Sequence, residues 1–116
     1  GLAPAAGMLG EDLTKIMLNG EPSRRDGIVV EQATALPLPG RDQSMRVKTF
    51  VDHNWRLSYY PGESWGELYD LQSDPAEIIN LWTSADHTIP RLELMERMLK
   101  NIVRYESQTP LQVTVG

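Results

Sequence analysis

The run from Gly66 to Trp82 (Gly-Glu-Leu-Tyr-Asp-Leu-Gln-Ser-Asp-Pro-Ala-Glu-Ile-Ile-Asn-Leu-Trp) constrains this chain more than any other stretch, because it divides sheet from helix. Leu68 and Asp70 alternate with Tyr69 and Leu71, the period of two expected of a strand. Asp74-Pro75-Ala76-Glu77 then has the form of a capping box: an acidic N-cap, proline where its missing N–H costs nothing, and glutamate three residues on. A short helical turn is expected to start there. Residues N-terminal to the run read as sheet, and those C-terminal to it as one long helix.

Upstream, Met45, Val47, Thr49 and Val51 fall on one face of a strand and Arg46, Lys48 and Phe50 on the other. Trp55, Leu57 and Tyr59 alternate with Arg56, Ser58 and Tyr60. Asp52-His53-Asn54 between the two runs is turn chemistry, so residues 45–60 predict an antiparallel hairpin. Ile28-Val29-Val30 predicts an earlier strand buried on both faces or nearly so, and 33–44, with Pro37, Pro39 and Gly40, predicts a loop. Glu11 to Asn19 spaces Leu13, Ile16 and Met17 as a short helix, with Gly20 as its C-terminal stop.

Downstream, Pro90 is tolerable only in a first helical turn, which makes Thr88 the expected N-cap. Leu92, Met95, Leu99 and Ile102 form one stripe, widened by Met98 and Val103, with Glu93–Arg97 and Glu96–Lys100 as i,i+4 pairs on the wet side. The helix is expected to end near Glu106. Together these elements give an α+β fold class: a roughly four-stranded antiparallel sheet, covered on one face by a long C-terminal helix, with a short N-terminal helix. Residues 1–116 fit one domain, of which 1–10 reads as linker and 107–116 as tail.

Charge and composition exclude several function classes. The formal net charge is -5 and the basic residues are scattered, which disfavours a nucleic-acid partner. No apolar run approaches a membrane span, and the glycine- and alanine-rich start lacks the basic region of a signal peptide. With no cysteine there is no disulfide framework, thiolate site or thiol nucleophile.

Glu67-Leu68-Tyr69-Asp70-Leu71, then Asp74-Pro75, Glu77 and Asn80-Leu81, resembles the C-terminal subdomain of the sulfatase family, hydrolases of the alkaline-phosphatase superfamily. Gly7-Met8, Gly10, Leu13 and Gly20 are similar to the family's approach to this subdomain, and Arg25-Asp26 through Glu31 to its first strand. The resemblance implies a non-catalytic subdomain that packs on the catalytic domain of a parent sulfatase and shapes its cleft. It also implies that the formylglycine, the calcium ligands and the acid/base residues of such an enzyme lie in the larger domain, leaving no cofactor in this chain. A fragment cut from that partner is expected to self-associate through the face it normally buries.

The candidate chemistry is sparse. Gly20-Glu21-Pro22-Ser23-Arg24 is a near-copy of the family's nucleophile motif, but glycine, without a β-carbon, cannot become an aldehyde. Asp70, Asp74 and Glu77 are the best carboxylate cluster for a metal, though capping and turn duty accounts for them better. His53 and His87 lack ligand spacing and read as solvated. Among Trp55, Tyr59, Trp65, Tyr69 and Trp82, core and interdomain packing competes with stacking on a sugar ring. His53, Trp65 and Trp82 are the expected contacts with a substrate cleft or a neighbouring domain. Two other readings stand beside the subdomain: a free-standing protein- or glycan-interaction module, and a small metal-dependent hydrolase using Asp70, Asp74 and His53.

Overall fold

A computed structural model describes residues 10–37 and 44–108 of the chain. Helix α1 spans Thr14–Asn19. Four strands come next: β1 (Ile28–Pro37), β2 (Ser44–Val51), β3 (Trp55–Tyr59) and β4 (Gly66–Asp70). A 3-10 turn at Ala85–His87 leads into helix α2, Thr88–Gln108. The strands form one sheet in the order β1-β2-β3-β4, every neighbouring pair antiparallel. This is the α+β architecture expected. The linker and tail expected at the two ends lie largely outside the described residues.

Directly opposite residues of antiparallel strands share a face, so register decides what the helix meets. The pairs Val29↔Phe50, Phe50↔Leu57 and Leu57↔Leu68 place one apolar row straight across all four strands. Phe50, Leu57 and Leu68 are fully buried, and Leu94 and Met98 of α2 close over them. Met95, Ile102, Trp55, Tyr59, Leu81 and Trp82 pack around this centre.

One residue of α2 locks it to the sheet. Arg97 lays its guanidinium 5.0 Å from the Phe50 ring centroid and binds Asp52 Oδ2 at 2.5 Å. It also donates to the Asp26 carbonyl at 2.5 Å, while Asn101 donates to Asp26 Oδ1 at 3.3 Å. Burial works to raise the Asp26 carboxyl, but the bonds from Asn101 and Arg97 win and hold it below its ordinary value. Asp52 has a second duty, its Oδ1 accepting the amides of Asn54 and Trp55 at 2.8 and 2.7 Å to shape the β2–β3 turn.

Several local expectations give way. Of the expected stripe, Met95, Met98 and Ile102 pack on the sheet, but Leu92, Leu99 and Val103 are turned outward (56%, 59% and 54% exposed), and Leu94 and Asn101 complete the inner side instead. Arg97 accordingly leaves the wet side, and of the two i,i+4 pairs expected the structure shows Glu96–Lys100, at 2.7 Å. Thr88 is helical (φ -61°, ψ -46°) and not a cap, because the 3-10 turn feeds directly into α2. No helical turn forms at Asp74–Glu77; that segment is a tight turn whose fate is set by the sheet edge. Strand β1 is not buried on both faces, since Ile28 and Val30 are about half exposed while Val29 packs inward. The loop expected over 33–44 narrows, with β1 running to Pro37 and β2 starting at Ser44. Thr34 Oγ1 bridges the irregular register there, accepting the Met45 amide at 3.1 Å. Gly20 does end α1, at φ 67°.

The core assignment makes a direct prediction for α2. Leu94→Ala should cost about 2–5 kcal/mol, the range for truncating a buried leucine. Leu99→Ala should remain within about 0.5 kcal/mol of the parent, as at an exposed position. Chemical denaturation of the two variants checks this, and equal losses would mean that α2 is rotated from the position described.

Candidate functional site

The segment after β4 is built from side chains that stand in for backbone. Asp70 ends the strand, its Oδ1 accepting the Gln72 amide at 3.0 Å and its Oδ2 the Ser73 hydroxyl at 2.9 Å. The Ser73 hydroxyl, then the Gln72 amide, hold the Asp70 carboxyl below its ordinary value. Asp74 accepts the Glu77 amide at its carbonyl (3.0 Å) and the Ile79 amide at Oδ2 (2.8 Å), closing a turn in which Glu77 takes φ 56°. That left-handed conformation is costly for a side chain with a β-carbon. Its return is position: Glu77 Oε2 lies 2.7 Å from an Arg56 guanidinium nitrogen.

Asn80 then runs along the outer edge of β4. Its Oδ1 accepts the amides of Leu68 and Trp82, each at 3.0 Å, and its Nδ2 donates to the Gly66 carbonyl at 3.0 Å. Leu81 adds a backbone bond to the Leu68 carbonyl at 2.8 Å. One amide side chain and one peptide thus cover an edge that would otherwise present open hydrogen-bonding groups. The Trp82 ring settles on Gly66, where any β-carbon would stand 2.5 Å from it.

The sheet face opposite α2 carries a polar network centred on Arg56. Its guanidinium donates to Ser58 Oγ (3.0 Å) and Glu67 Oε2 (3.3 Å), pairs with Glu77, and lies 4.8 Å from the Tyr69 ring centroid. Ser58, 1% exposed, also shares a hydrogen bond with Thr49 at 3.0 Å. Burial works against the charge on Arg56, but Glu77 and Glu67 outweigh it and raise its pKa. The same surroundings push the hydroxyls of Tyr60 and Tyr69 up, through burial first and the Glu67 charge second. Two carboxylates flanking one guanidinium are matched to the chain itself, so neither Glu67 nor Glu77 stands as a free base.

A mixed aromatic and basic corner joins this strap to α2. Arg91 stacks its guanidinium 5.0 Å from the Trp82 ring centroid and donates to the Trp82 carbonyl. His87, half-buried, meets Trp55 edge-on at 6.1 Å and shares a hydrogen bond with Ser84 Oγ at 2.8 Å. It is therefore not the solvated histidine expected.

The three expected contact residues do not converge on one point. His53 is exposed at the tip of the β2–β3 hairpin. Trp65 lies in the β3–β4 turn, 37% exposed, packed 4.3 Å from Tyr60 with its indole N–H on Glu63 Oε2 at 3.0 Å. The length of β3, about 17 Å for five residues, separates His53 from Trp65. Trp82, on Gly66, belongs to the Trp65 end of β4.

The described residues do not assemble the catalytic groups of the family that the sequence resembles. Asp70, Asp74 and Glu77 are each spent on the strap, and among the described residues no three His, Cys, Asp or Glu side chains gather as a metal site. In the near-copy of the nucleophile motif, Gly20 is a helix stop, while Ser23 Oγ and the Arg24 amide bind Glu11 at 2.6 and 2.7 Å. The Ser23 hydroxyl, followed by that amide, holds the Glu11 carboxyl low. The residues whose roles were missed in the sequence are cations: Arg56, Arg91 and Arg97 each reach across elements, yet Arg56 reads there only as the polar half of a strand alternation and Arg97 only as an i,i+4 partner of Glu93.

No family model and no curated protein matches the chain. Among solved structures it is similar to that of BT4656 in complex with its substrate D-glucosamine-2-N,6-O-disulfate, at a TM-score of 0.74 and 18% identity. The match covers 94% of this chain and 22% of that one. At this identity the likeness is one of fold: the chain has the architecture of one segment of a longer protein whose substrate is a disulfated sugar.

Two measurements test the strap. Asn80→Ala removes three hydrogen bonds at a strand edge and should cost about 1–3 kcal/mol, since buried partners are left unsatisfied; an unchanged denaturation midpoint would show that water replaces the amide without loss. Asp26, Asp70 and Glu11 have folded pKa values below their unfolded ones, so the stability they contribute is complete above the ordinary carboxylate range and lost as pH falls through the folded values. Thermal midpoints measured from about pH 6 to about pH 3 should therefore fall, and fall less in Asp70→Asn, which has nothing left to titrate at that position.

Proposed function

We propose that this chain is the non-catalytic C-terminal subdomain of a sulfatase-like hydrolase, packing on a larger catalytic domain and forming one wall of its cleft. The observation that carries this reading is the fold likeness spanning 94% of this chain but 22% of a chain that acts on a sulfated sugar. The chemistry of the described residues agrees with a supporting role: the carboxylates of the most recognisable run bind the chain's own amides, a hydroxyl and Arg56. Formylglycine and calcium would belong to the larger domain. His53, Trp65 and Trp82 are then contacts with that domain or with the cleft, through surface and not through reaction.

Recovering the natural polypeptide with an antibody against residues 88–108 and weighing it tests the proposal. A product several times heavier than the 13.1 kDa of this chain, active on an aryl sulfate or on a 6-O-sulfated glucosamine, is the expected result. The chain alone should turn over neither substrate. A natural product of this chain's own mass would overturn the reading. So would turnover by the chain alone that survives repurification and is lost in Asp70→Asn.

A further inference from the structure

Between Leu71 and Leu81 the chain leaves the sheet and returns to it, and both ends of this excursion are fixed. The Leu71 amide donates to the Asn54 carbonyl at 2.7 Å, and the Gln72 side chain donates to Asn54 Oδ1 at 2.7 Å. The Leu81 amide donates to the Leu68 carbonyl at 2.8 Å, while the Leu81 side chain packs against the core. In between, no residue of 72–80 is buried, and Ile78 and Ile79 are 79% and 63% exposed. Apolar burial therefore does not hold this stretch down. The bonds from Asp74 to the Glu77 and Ile79 amides lie within the excursion, so they shape it without attaching it. Past Gln72, two attachments to the sheet remain among the described residues: Glu77 on Arg56 at 2.7 Å, and Asn80 on the Leu68 amide and the Gly66 carbonyl at 3.0 Å each.

The first of these attachments carries strain. Glu77 takes φ 56°, and among the described residues it alone, glycines aside, has a positive φ. A β-carbon makes that conformation unfavourable, and a residue keeps it only where its surroundings hold it there. Arg56 is what holds it: burial works against the guanidinium charge, and Glu77 is foremost among the groups that outweigh burial. Ser58 Oγ, Glu67 and the Tyr69 ring in turn fix Arg56 on the sheet, so the tie ends on a rigid support.

We propose that residues 72–80 of the strap open and close while the sheet and α2 stay folded, with Leu71 and Leu81 as hinges and the strained Glu77–Arg56 pair as the latch. Breaking the pair lets the Glu77 backbone leave the left-handed region, so the strain stored there works toward opening. Opening withdraws Asn80 and uncovers the outer edge of β4 at the Leu68 amide and the Gly66 carbonyl. The latched strap is thus the guard of that edge. This inference stands on the chain's own contacts and does not depend on the proposed function.

Amide hydrogen exchange in the 116-residue chain tests the latch. Leu68 and Ile79 report on the strap, Leu71 and Leu81 on its hinges, and the buried Phe50 and Leu57 on the sheet centre. In the parent, Leu68 and Ile79 should exchange at matching rates, faster than the other four. Glu77→Gln keeps the size of the side chain and removes its charge; it should speed both by about fivefold, the order of one charged pair, and leave the other four unchanged. In an Arg56→Met background the same substitution should add nothing. Glu77→Ala and Glu77→Gly both lack the pair, but glycine takes a positive φ without strain, so exchange at Leu68 and Ile79 should be about threefold slower in the glycine variant. Exchange of Leu68 and Ile79 at the rate of Phe50 and Leu57 in the parent would mean that the strap does not open by itself, and overturns the proposal. Acceleration of all six amides together by Glu77→Gln overturns it too, as do equal rates in the alanine and glycine variants.

Discussion

The row Val29, Phe50, Leu57 and Leu68 is the contact on which everything else in this fold depends, because it contributes one apolar side chain from each strand to a single line under α2. A shift of one residue in any pairing would turn that strand's contribution to the opposite face, where Arg56, Ser58 and Glu67 lie. Register is therefore set by the two faces together: one that needs cover and one on which Thr49, Ser58, Arg56 and Glu67 pair across strands in the present alignment. Arg97 fixes α2 over the row by lying on Phe50 while binding Asp52 in the β2–β3 turn and Asp26 ahead of β1. Helix, hairpin and first strand are thus tied at one point, and the side chains that tie them are polar.

The strands were legible in the sequence because a period of two is a property of each strand alone. Trp55 to Tyr60 alternates and Asp52 marks the turn before it, whereas in Met45 to Val51 the buried Phe50 falls on the same face as Arg46 and Lys48, so the alternation there shows a strand without showing its inner face. The orientation of α2 was not legible for the opposite reason. Its apolar residues occupy two stripes, and periodicity cannot say which one faces the sheet. The decision lies with Arg97 and Asn101, polar residues drawn inward by Asp26 and Asp52, and those partners are more than 40 positions away in the chain. A reading by apolar spacing sends such residues to solvent.

The run 66–82 was legible as important and illegible as to form. Asp-Pro-x-Glu suits a helix start, but it suits a tight turn equally well, and the tertiary surroundings choose. Here the open edge of β4 needed partners for the Leu68 amide and the Gly66 carbonyl, and Asn80 supplied them, while Arg56 drew Glu77 across the sheet face. A helical turn at Asp74 would satisfy its own amides and leave both demands unmet. Of the three expected contact residues, Trp65 and Trp82 lie toward one end of the sheet and His53 toward the other, a separation that strand length imposes and sequence proximity hides.

The most recognisable residues of this chain serve its own edge and its own charge. A segment can retain such a signature through large divergence elsewhere, since the demands of an open strand edge do not depend on what the rest of the protein binds. The fold likeness at 18% identity spans 94% of this chain. What distinguishes one module from another is then the surface outside the strap and the core. In this chain that surface includes α1, where Met17 and Leu18 are exposed, the open sheet face at Ile28 and Val30, and the outer side of α2 at Ile89, Leu92, Leu99 and Val103.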